Sequence, residues 1–316
     1  MQEFLNCVFV SSPSELVGSP VFFAEVVLSG VLTGVMYSLV ALGFVLILKA
    51  SGIFNFSPGT MVLFAALTLV GFMELGVPTW LALIITIGVM VLLAVAVEKF
   101  VLRPLVNQDL IILFMATIGL NFVLEGLGET IWGSNVKKLD VGIPDYPFEI
   151  PVGDDYILLS TFDVYAAVIG AVLVFSLAVF FHKTPIGRAL RAVADDHQAA
   201  MSVGIPLKTI WIIVWSVAGV VALVAGIMWG SKSGVQFSLA LIAFKALPVL
   251  ILGGFESVPG AIVGGLIIGV GEKIAEVYWG PCVGGAIENW FAFMLALVFL
   301  LFRPQGLFGE KIIERV

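Results

Sequence analysis

The sequence is short of charge. Only 12% of its 316 residues are Asp, Glu, Lys or Arg, while 60% are hydrophobic. A soluble domain carries about 25% charged and about 45–50% apolar residues. Polar cover this thin cannot clothe a water-soluble surface, which excludes a soluble enzyme and a disordered tail. A basic stripe is also missing. Lys and Arg number 15 against 22 Asp and Glu, a net charge of −7, so nucleic acid is excluded as a partner. Two cysteines, Cys7 and Cys282, are too few for a disulfide framework and lack zinc-site spacing. A single bridge or two unconnected thiols both remain open. The two histidines, His182 and His197, make no metal cluster. No GxxxxGK[ST], GxSxG or HExxH stretch occurs, and the near-miss at Gly269–Lys273 lacks the spacing. No active site is supported, and no cofactor is expected on this chain. The first twenty residues carry no positive region ahead of their apolar ones, so they are not read as a cleaved leader.

Long apolar runs fill the space that charge leaves, and mean hydropathy is +1.15. A spanning helix needs about 20 apolar residues. Val21–Leu48, Pro78–Val97, Leu110–Trp132, Asp163–His182, Thr209–Trp229, Pro259–Trp279 and Gly284–Phe302 qualify. Pro58–Met73 and Leu239–Gly253 are short and sit beside the breaks GIFNFSPG and GGFESVPG. The expected fold is all-α: a polytopic transmembrane bundle of about eight to nine segments, some short or broken, in a single domain over residues 1–316. Small residues, as in GAIVGGLIIGVG, favour close helix packing in lipid. The similar breaks leave an internal repeat and chance resemblance both open.

Positive charge sets the orientation. With nine spans, Lys49, Lys99, Arg103, Lys183, Arg188, Arg191, Lys208, Arg303, Lys311 and Arg315 share one face, read as cytoplasmic. Lys137, Lys138 and Lys232 hold the other. The N-terminus is then outside and the C-terminus inside. Residues 133–162 become an external, periplasmic loop rich in acids and turn formers.

Residues 183–206, KTPIGRALRAVADDHQAAMSVGIP, form a cytoplasmic connector. Ala, Leu, Met and Arg between Pro185 and Gly204 favour a short helix. Its charges face water and its Ala and Val face apolar surroundings. Gly204 suits the C′ position that ends it. The segment reads either as an interfacial connector or as a helix that enters a groove on a cytoplasmic protein.

Gln198-Ala199-Ala200 followed by Gly204 resembles the Glu-Ala-Ala-x-x-x-Gly coupling loop of ABC importer permeases, with Gln198 for Glu. A narrower resemblance is to the high-affinity branched-chain amino-acid permeases. It is carried by Asn55-Phe56 before Gly59, Glu98 with Arg103-Pro104, Thr117-Ile118-Gly119, and Gly187-Arg188-Ala189-x-Arg191-Ala192. Leu252-Gly253-Gly254, Ser257-Val258-Pro259-Gly260-Ala261, Gly264-Gly265-Leu266, Glu272 and Arg303-Pro304-x-Gly306 complete it. The resemblance covers roughly 25–310. It implies a subunit of the bacterial inner membrane that pairs with a second homologous permease. Two cytoplasmic ATPase subunits would dock on the coupling loops and use the ATP. A periplasmic solute-binding protein would deliver cargo. One departure stands out: the family often has Asn-Phe-Ala-His-Gly-Glu where this chain has Asn55-Phe56-Ser57-Pro58-Gly59-Thr60. The turn is less polar, and urea, short amides and small carboxylates stay open as cargo beside branched-chain amino acids.

The expected ATPase-coupling residues are Arg188, Arg191, Asp195, Asp196, Ala199, Ala200 and Gly204. Pathway candidates are Asn55 and Ser57 at the first break, Thr117 and Asn121 on one helix face, and Lys245 within the short run 239–253. Each has a plainer alternative: a helix cap, an interhelical hydrogen bond, or a snorkelling lysine. Glu272, Lys273 and Glu276 are read as pairing on one helix turn. An ion-coupled carrier working alone, a passive channel and a membrane-embedded enzyme are the competing classes. The first needs paired deep charges, and the last needs clustered His, Asp or Cys.

Overall fold

A computed structural model of the chain describes residues 18–105, 108–153, 155–195 and 197–309. Cys7, Asp154, Asp196, Lys311 and Arg315 lie outside the described residues. The helices are α1 (Pro20–Ser51), α2 (Pro58–Glu74), α3 (Thr79–Val97), α4 (Leu110–Trp132), α5 (Thr161–Lys183), α6 (Pro185–Asp195), α7 (His197–Ser202), α8 (Leu207–Ser233), α9 (Ile242–Gly253), α10 (Val258–Ile274), α11 (Gly280–Val283) and α12 (Phe291–Phe302). Six helical stretches are long and apolar enough to cross a bilayer: Pro20–Ser51, Thr79–Leu105, Ile111–Trp132, Thr161–Phe181, Leu207–Ser233 and Val258–Val283. Three more are apolar but shorter: Pro58–Glu74, Phe237–Gly253 and Phe291–Phe302.

The fold is helical as expected, with one addition: β1 (Pro147–Val152) and β2 (Asp155–Ser160), within 133–162, form an antiparallel hairpin with Phe148 opposite Leu159 and Ile150 opposite Ile157. One expected span needs correction: Gly284–Phe302 is not a single helix. Gly284, Gly285 and Ala286 take left-handed conformations in succession, at φ +87°, +84° and +59°. An α-helix cannot pass through that region, so Ile287–Asn289 makes only a 3-10 turn and the α-helix starts at Phe291 and runs to Phe302. Glu276 organises the turn: Ala286 N–H donates to its Oε1 at 3.1 Å and Glu288 N–H to its Oε2 at 3.0 Å.

The chain forms two compact units. One comprises Met1–Ser38, Gly142–Ala171 and Lys245–Val316. Here α1 and α10 run antiparallel at backbone contact. A side chain on Gly30 would sit 2.6 Å from Val270 Cα, and one on Gly34 would sit 2.7 Å from the Gly265 carbonyl. Ser38 Oγ approaches the Ile262 carbonyl at 3.3 Å. A side chain on Gly34 would also sit 2.9 Å from Leu266 Cα, so 30, 34 and 38 on α1 meet 270, 266 and 262 on α10, one small residue of α1 per turn. α10 begins with Ser257, whose Oγ accepts Gly260 N–H at 3.0 Å, and Pro259 follows at the start of the helix, where its missing N–H costs nothing. The hairpin is tied to α1 by Leu158 N–H donating to Glu25 Oε2 at 2.8 Å.

The other unit comprises Leu39–Val141 and Val172–Phe244. Its centre is α2, every residue of which from Pro58 to Gly71 is buried. α8 and α4 pack on α2, and α3 packs on α8. α2 and α4 run parallel in a constant register: Thr60 meets Asn121, Leu67 meets Gly128, and Gly71 lies under the Trp132 ring. Lys137 pairs with Glu74 beyond the end of α2, and its backbone bridges Val235 beyond α8. The C-terminal ends of α2, α4 and α8 thus share one end of this unit. The outer helices keep apolar faces: Ile84 and Leu92 on α3, Ile111 and Phe122 on α4, and Val172 and Phe175 on α5 are exposed. Lipid accounts for such faces, since hydrocarbon is as good a solvent for Leu as a protein core is.

Candidate functional site

The register of α2 on α4 fixes where the first helix break lies. α2 begins at Pro58, level with about residue 119 of α4, nine residues after that helix starts. At 1.5 Å per residue the break is about 13 Å along α4. The polypeptide therefore leaves helical geometry inside the apolar layer, where freed backbone groups need partners. Asn55, Ser57, Thr60, Thr117 and Asn121 supply them. Ser57 N–H and Ser57 Oγ both donate to Asn55 Oδ1, at 3.0 and 2.8 Å. Phe56 N–H donates to Thr117 Oγ1 at 3.1 Å, and that hydroxyl donates to the Phe114 carbonyl at 2.8 Å. Thr60 Oγ1 lies 3.0 Å from the Ser57 carbonyl and 3.1 Å from Asn121 Oδ1. Asn55, Ser57, Thr60 and Thr117 are all buried.

The candidates at 55, 57, 117 and 121 are thus brought into one cluster, joined by Thr60. The helix-cap alternative does not hold for Ser57, which makes no side-chain cap bond to α2. Ser257 at the second break does cap its helix, so two similar sequences act differently. The interhelical hydrogen-bond alternative does describe Thr117 and Asn121. Among the described residues Asn55 Nδ2, buried with its residue, has no partner. Beside the cluster an apolar cleft is lined by Gly43, Ile47, Pro58, Met61, Val62 and Ala222, on α1, α2 and α8. Gly59 has no room for a side chain, which would strike the Ala240 carbonyl.

Lys245 is not part of that cluster. It belongs to the first unit, where its Nζ lies 2.9 Å from Glu272 Oε1 and 3.3 Å from Tyr37 Oη. Tyr37 Oη donates to the same Oε1 at 2.9 Å. Side chains lean toward the N-terminus of their own helix, so Tyr37 on α1 and Glu272 on antiparallel α10 converge. The expected pairing of Glu272 with Lys273 and Glu276 is corrected. Lys273 lies 3.7 Å from Glu288, and Glu276 serves the turn at 286–288. Tyr37 carried no sequence signal. Glu272 stood out as a carboxylate on an apolar helix, but Lys273 and Glu276 beside it in sequence pointed to a local pairing.

The connector between α5 and α8 forms two helices rather than one. Thr184 Oγ1 accepts Gly187 N–H at 3.0 Å, and Pro185 follows it, which starts α6. α6 packs on α7 and α8, with Leu190 and Val193 buried and Arg188 exposed. Asp195 ends α6, and α7 carries Ala199 and Ala200. Gly204 N–H donates to the Met201 carbonyl and Ile205 N–H to the Ala200 carbonyl, each at 3.0 Å. That is a complete Schellman motif, with Gly204 at φ +85° in the C′ position. At the same end of the chain's helices, Arg103 grips both carboxylate oxygens of buried Glu98, at 2.7 to 3.0 Å.

Together these features define a multi-pass helical membrane protein with a polar helix break inside its apolar layer and, in a connector, a charged helix followed by a short second one. The chain belongs to the family described as branched-chain amino acid transport system / permease component, whose family model matches residues 26–302. It is 27% identical over 305 residues to the high-affinity branched-chain amino acid transport system permease protein BraD of Pseudomonas aeruginosa, covering 93% of this chain and 98% of that relative. It is 27% identical to the LivH permease protein of Salmonella typhimurium, with the same two shares. It is also 24% identical to the fructose import permease protein FruG of Bifidobacterium longum, over 80% of this chain and 74% of that protein. The relatives are transport permeases, and this chain is a multi-pass membrane permease of an ABC transporter.

Proposed function

We propose that this chain is the membrane-spanning subunit of an ABC importer that moves branched-chain or related small amino acids inward. It holds no cofactor of its own, and the ATP is hydrolysed by two separate cytoplasmic subunits. A second homologous permease completes the pathway, and a periplasmic binding protein hands over the cargo at a bacterial inner membrane. The observation that carries this reading is the family match over residues 26–302 combined with amphipathic α6 and the short α7, which left-handed Gly204 closes. In that reading Arg188, Arg191, Asp195, Asp196, Ala199, Ala200 and Gly204 meet the ATPase. The polar break around Asn55, Ser57, Thr117 and Asn121 lines the route, and Lys245 is a separate pathway candidate. A second reading, the same machine with another small solute, is favoured by the fructose permease relative.

The test is labelled leucine uptake in cells that carry the ATPases and binding protein, with and without this chain. Deletion should abolish uptake. Gly204→Ala strains a left-handed residue by roughly 1–2 kcal/mol, and the site is otherwise open, with nothing within 4 Å of an added Cβ. That variant should reach the membrane yet lower transport and transport-linked ATP hydrolysis together, whereas Gly204→Asn should retain most of both. Fructose uptake that depends on this chain, with leucine uptake unaffected by its deletion, would overturn the amino-acid assignment and leave the importer assignment standing.

A further inference from the structure

We propose that Tyr37, Lys245 and Glu272 form the station that reads the head group of the cargo, an ammonium and a carboxylate on one carbon. The inference rests on the amino-acid reading above and assigns it a site. Its ground is how the triad is bonded. Both partners of Glu272 fall on one oxygen: Lys245 Nζ and Tyr37 Oη each reach Oε1 at 2.9 Å. Among the described residues Oε2 has no partner, although Glu272 is only 1% exposed. Buried carboxylate oxygens are normally bonded. The same chain shows what a closed ion pair looks like, since Arg103 satisfies both oxygens of equally buried Glu98.

The ammonium has spare capacity too. Of its three donors, one reaches Glu272 Oε1 and one Tyr37 Oη, and among the described residues a third is left. Among the described residues the triad therefore holds an unused acceptor and an unused donor on two groups already joined at 2.9 Å. The complementary ligand carries a donor beside an acceptor, which describes an α-amino acid zwitterion. Its ammonium would take Oε2 and its carboxylate would take Nζ. Charge supports the match. The pair and the zwitterion are each neutral, so binding brings no net charge into a low-dielectric layer. An amine or a carboxylate alone would bring one, and a sugar would leave both charges unanswered. Access runs along Lys245, whose side chain is 24% exposed. The glycine register of α1 on α10 holds Tyr37 and Glu272 in place, because Gly30 and Gly34 admit no side chain.

The test uses the complete transporter. Leucine uptake is measured in competition with 3-methylbutylamine, which lacks the carboxylate, and 4-methylpentanoate, which lacks the ammonium. Wild type should prefer leucine to both. Glu272→Gln should lose at least about tenfold of the preference over 4-methylpentanoate, and Lys245→Gln at least about tenfold over 3-methylbutylamine, the scale of one charged hydrogen bond. The exchange of Lys245→Glu with Glu272→Lys keeps a pair and reverses its order, so it should not restore leucine transport. Unchanged preferences in the neutral variants, or wild-type transport by the exchanged pair, would overturn the proposal and leave a structural strut. If the neutral variants do not accumulate, Lys245→Arg and Glu272→Asp decide: a raised leucine KM supports the site, and an unchanged KM overturns it. Wild-type uptake of a sugar and not of leucine would instead defeat the cargo reading itself.

Discussion

A single hydroxyl at Thr117 joins the helix break to the layer around it. It accepts Phe56 N–H and donates to its own helix at the Phe114 carbonyl. Valine has nearly the same shape and neither bond. Thr117→Val would leave a backbone donor unpaired where water is scarce, a cost of about 1–3 kcal/mol. The thermal midpoint of the purified protein in detergent should fall. Thr130→Val is the control, because that hydroxyl is exposed and among the described residues bonds only to the Gly126 carbonyl of its own helix, and its midpoint should stay put. Equal midpoints for both variants would remove Thr117 from the support of the break. At this scale the sequence was readable where chemistry is local. Asn55 and Ser57 are two residues apart and bond to each other. The partners of Glu272 lie 27 and 235 residues away, so neighbours in sequence gave the wrong pairing.

At the scale of elements, close helix contact is written in glycine, and its register becomes visible only in three dimensions. Gly269 faces Gly30 and Gly34 so closely that a Cβ would lie 2.5 Å from the Gly30 carbonyl and from Gly34 Cα. Cβ atoms do not tolerate such distances, and backbone on both sides cannot give. Gly269→Ala should therefore push α1 and α10 apart and lower the detergent midpoint, in spite of alanine's better helix propensity. Gly126→Ala, with nothing within 4 Å, should be neutral or raise stability by about 0.5–1 kcal/mol. A rise for both would show that the contact between α1 and α10 is looser than drawn. Composition announced that small residues line the spans but not which of them touch. The Schellman turn at Gly204 was legible because all its bonds fall within six residues. The hairpin at 147–160 was not, because prolines and acids interrupt the alternation that marks strands. The last span was overdrawn because hydropathy averages across Gly284–Ala286, where conformation, not polarity, stops the helix.

At the scale of the whole molecule, positive charge and helix direction make one prediction between them. Lys49, Lys99, Arg103, Lys183, Arg188, Arg191, Lys208 and Arg303 follow or precede helix ends that alternate along the chain with those bearing Lys137, Lys138 and Lys232. The second unit supports that alternation independently. Lys137 ties the end of α2 to the end of α8 through Glu74 and Val235, and α4 runs parallel to α2. Three helices that end together must cross in the same direction, which requires α2, short as it is, to count as a crossing. Loops bearing Lys and Arg stay in the cytoplasm, which predicts the hairpin outside and the connector at 183–206 inside. An epitope inserted after Gly153, at the hairpin's exposed turn, should be reached by antibody on intact spheroplasts. An epitope at the C-terminus should be reached only after the membrane is opened. If α2 instead dips in and returns on the same side, every later helix reverses. The hairpin epitope would then be hidden, and α6 and α7 would face the periplasm, where no ATPase could meet them. Antibody access at these two positions therefore tests the crossing of α2 and the coupling role of the connector in one experiment.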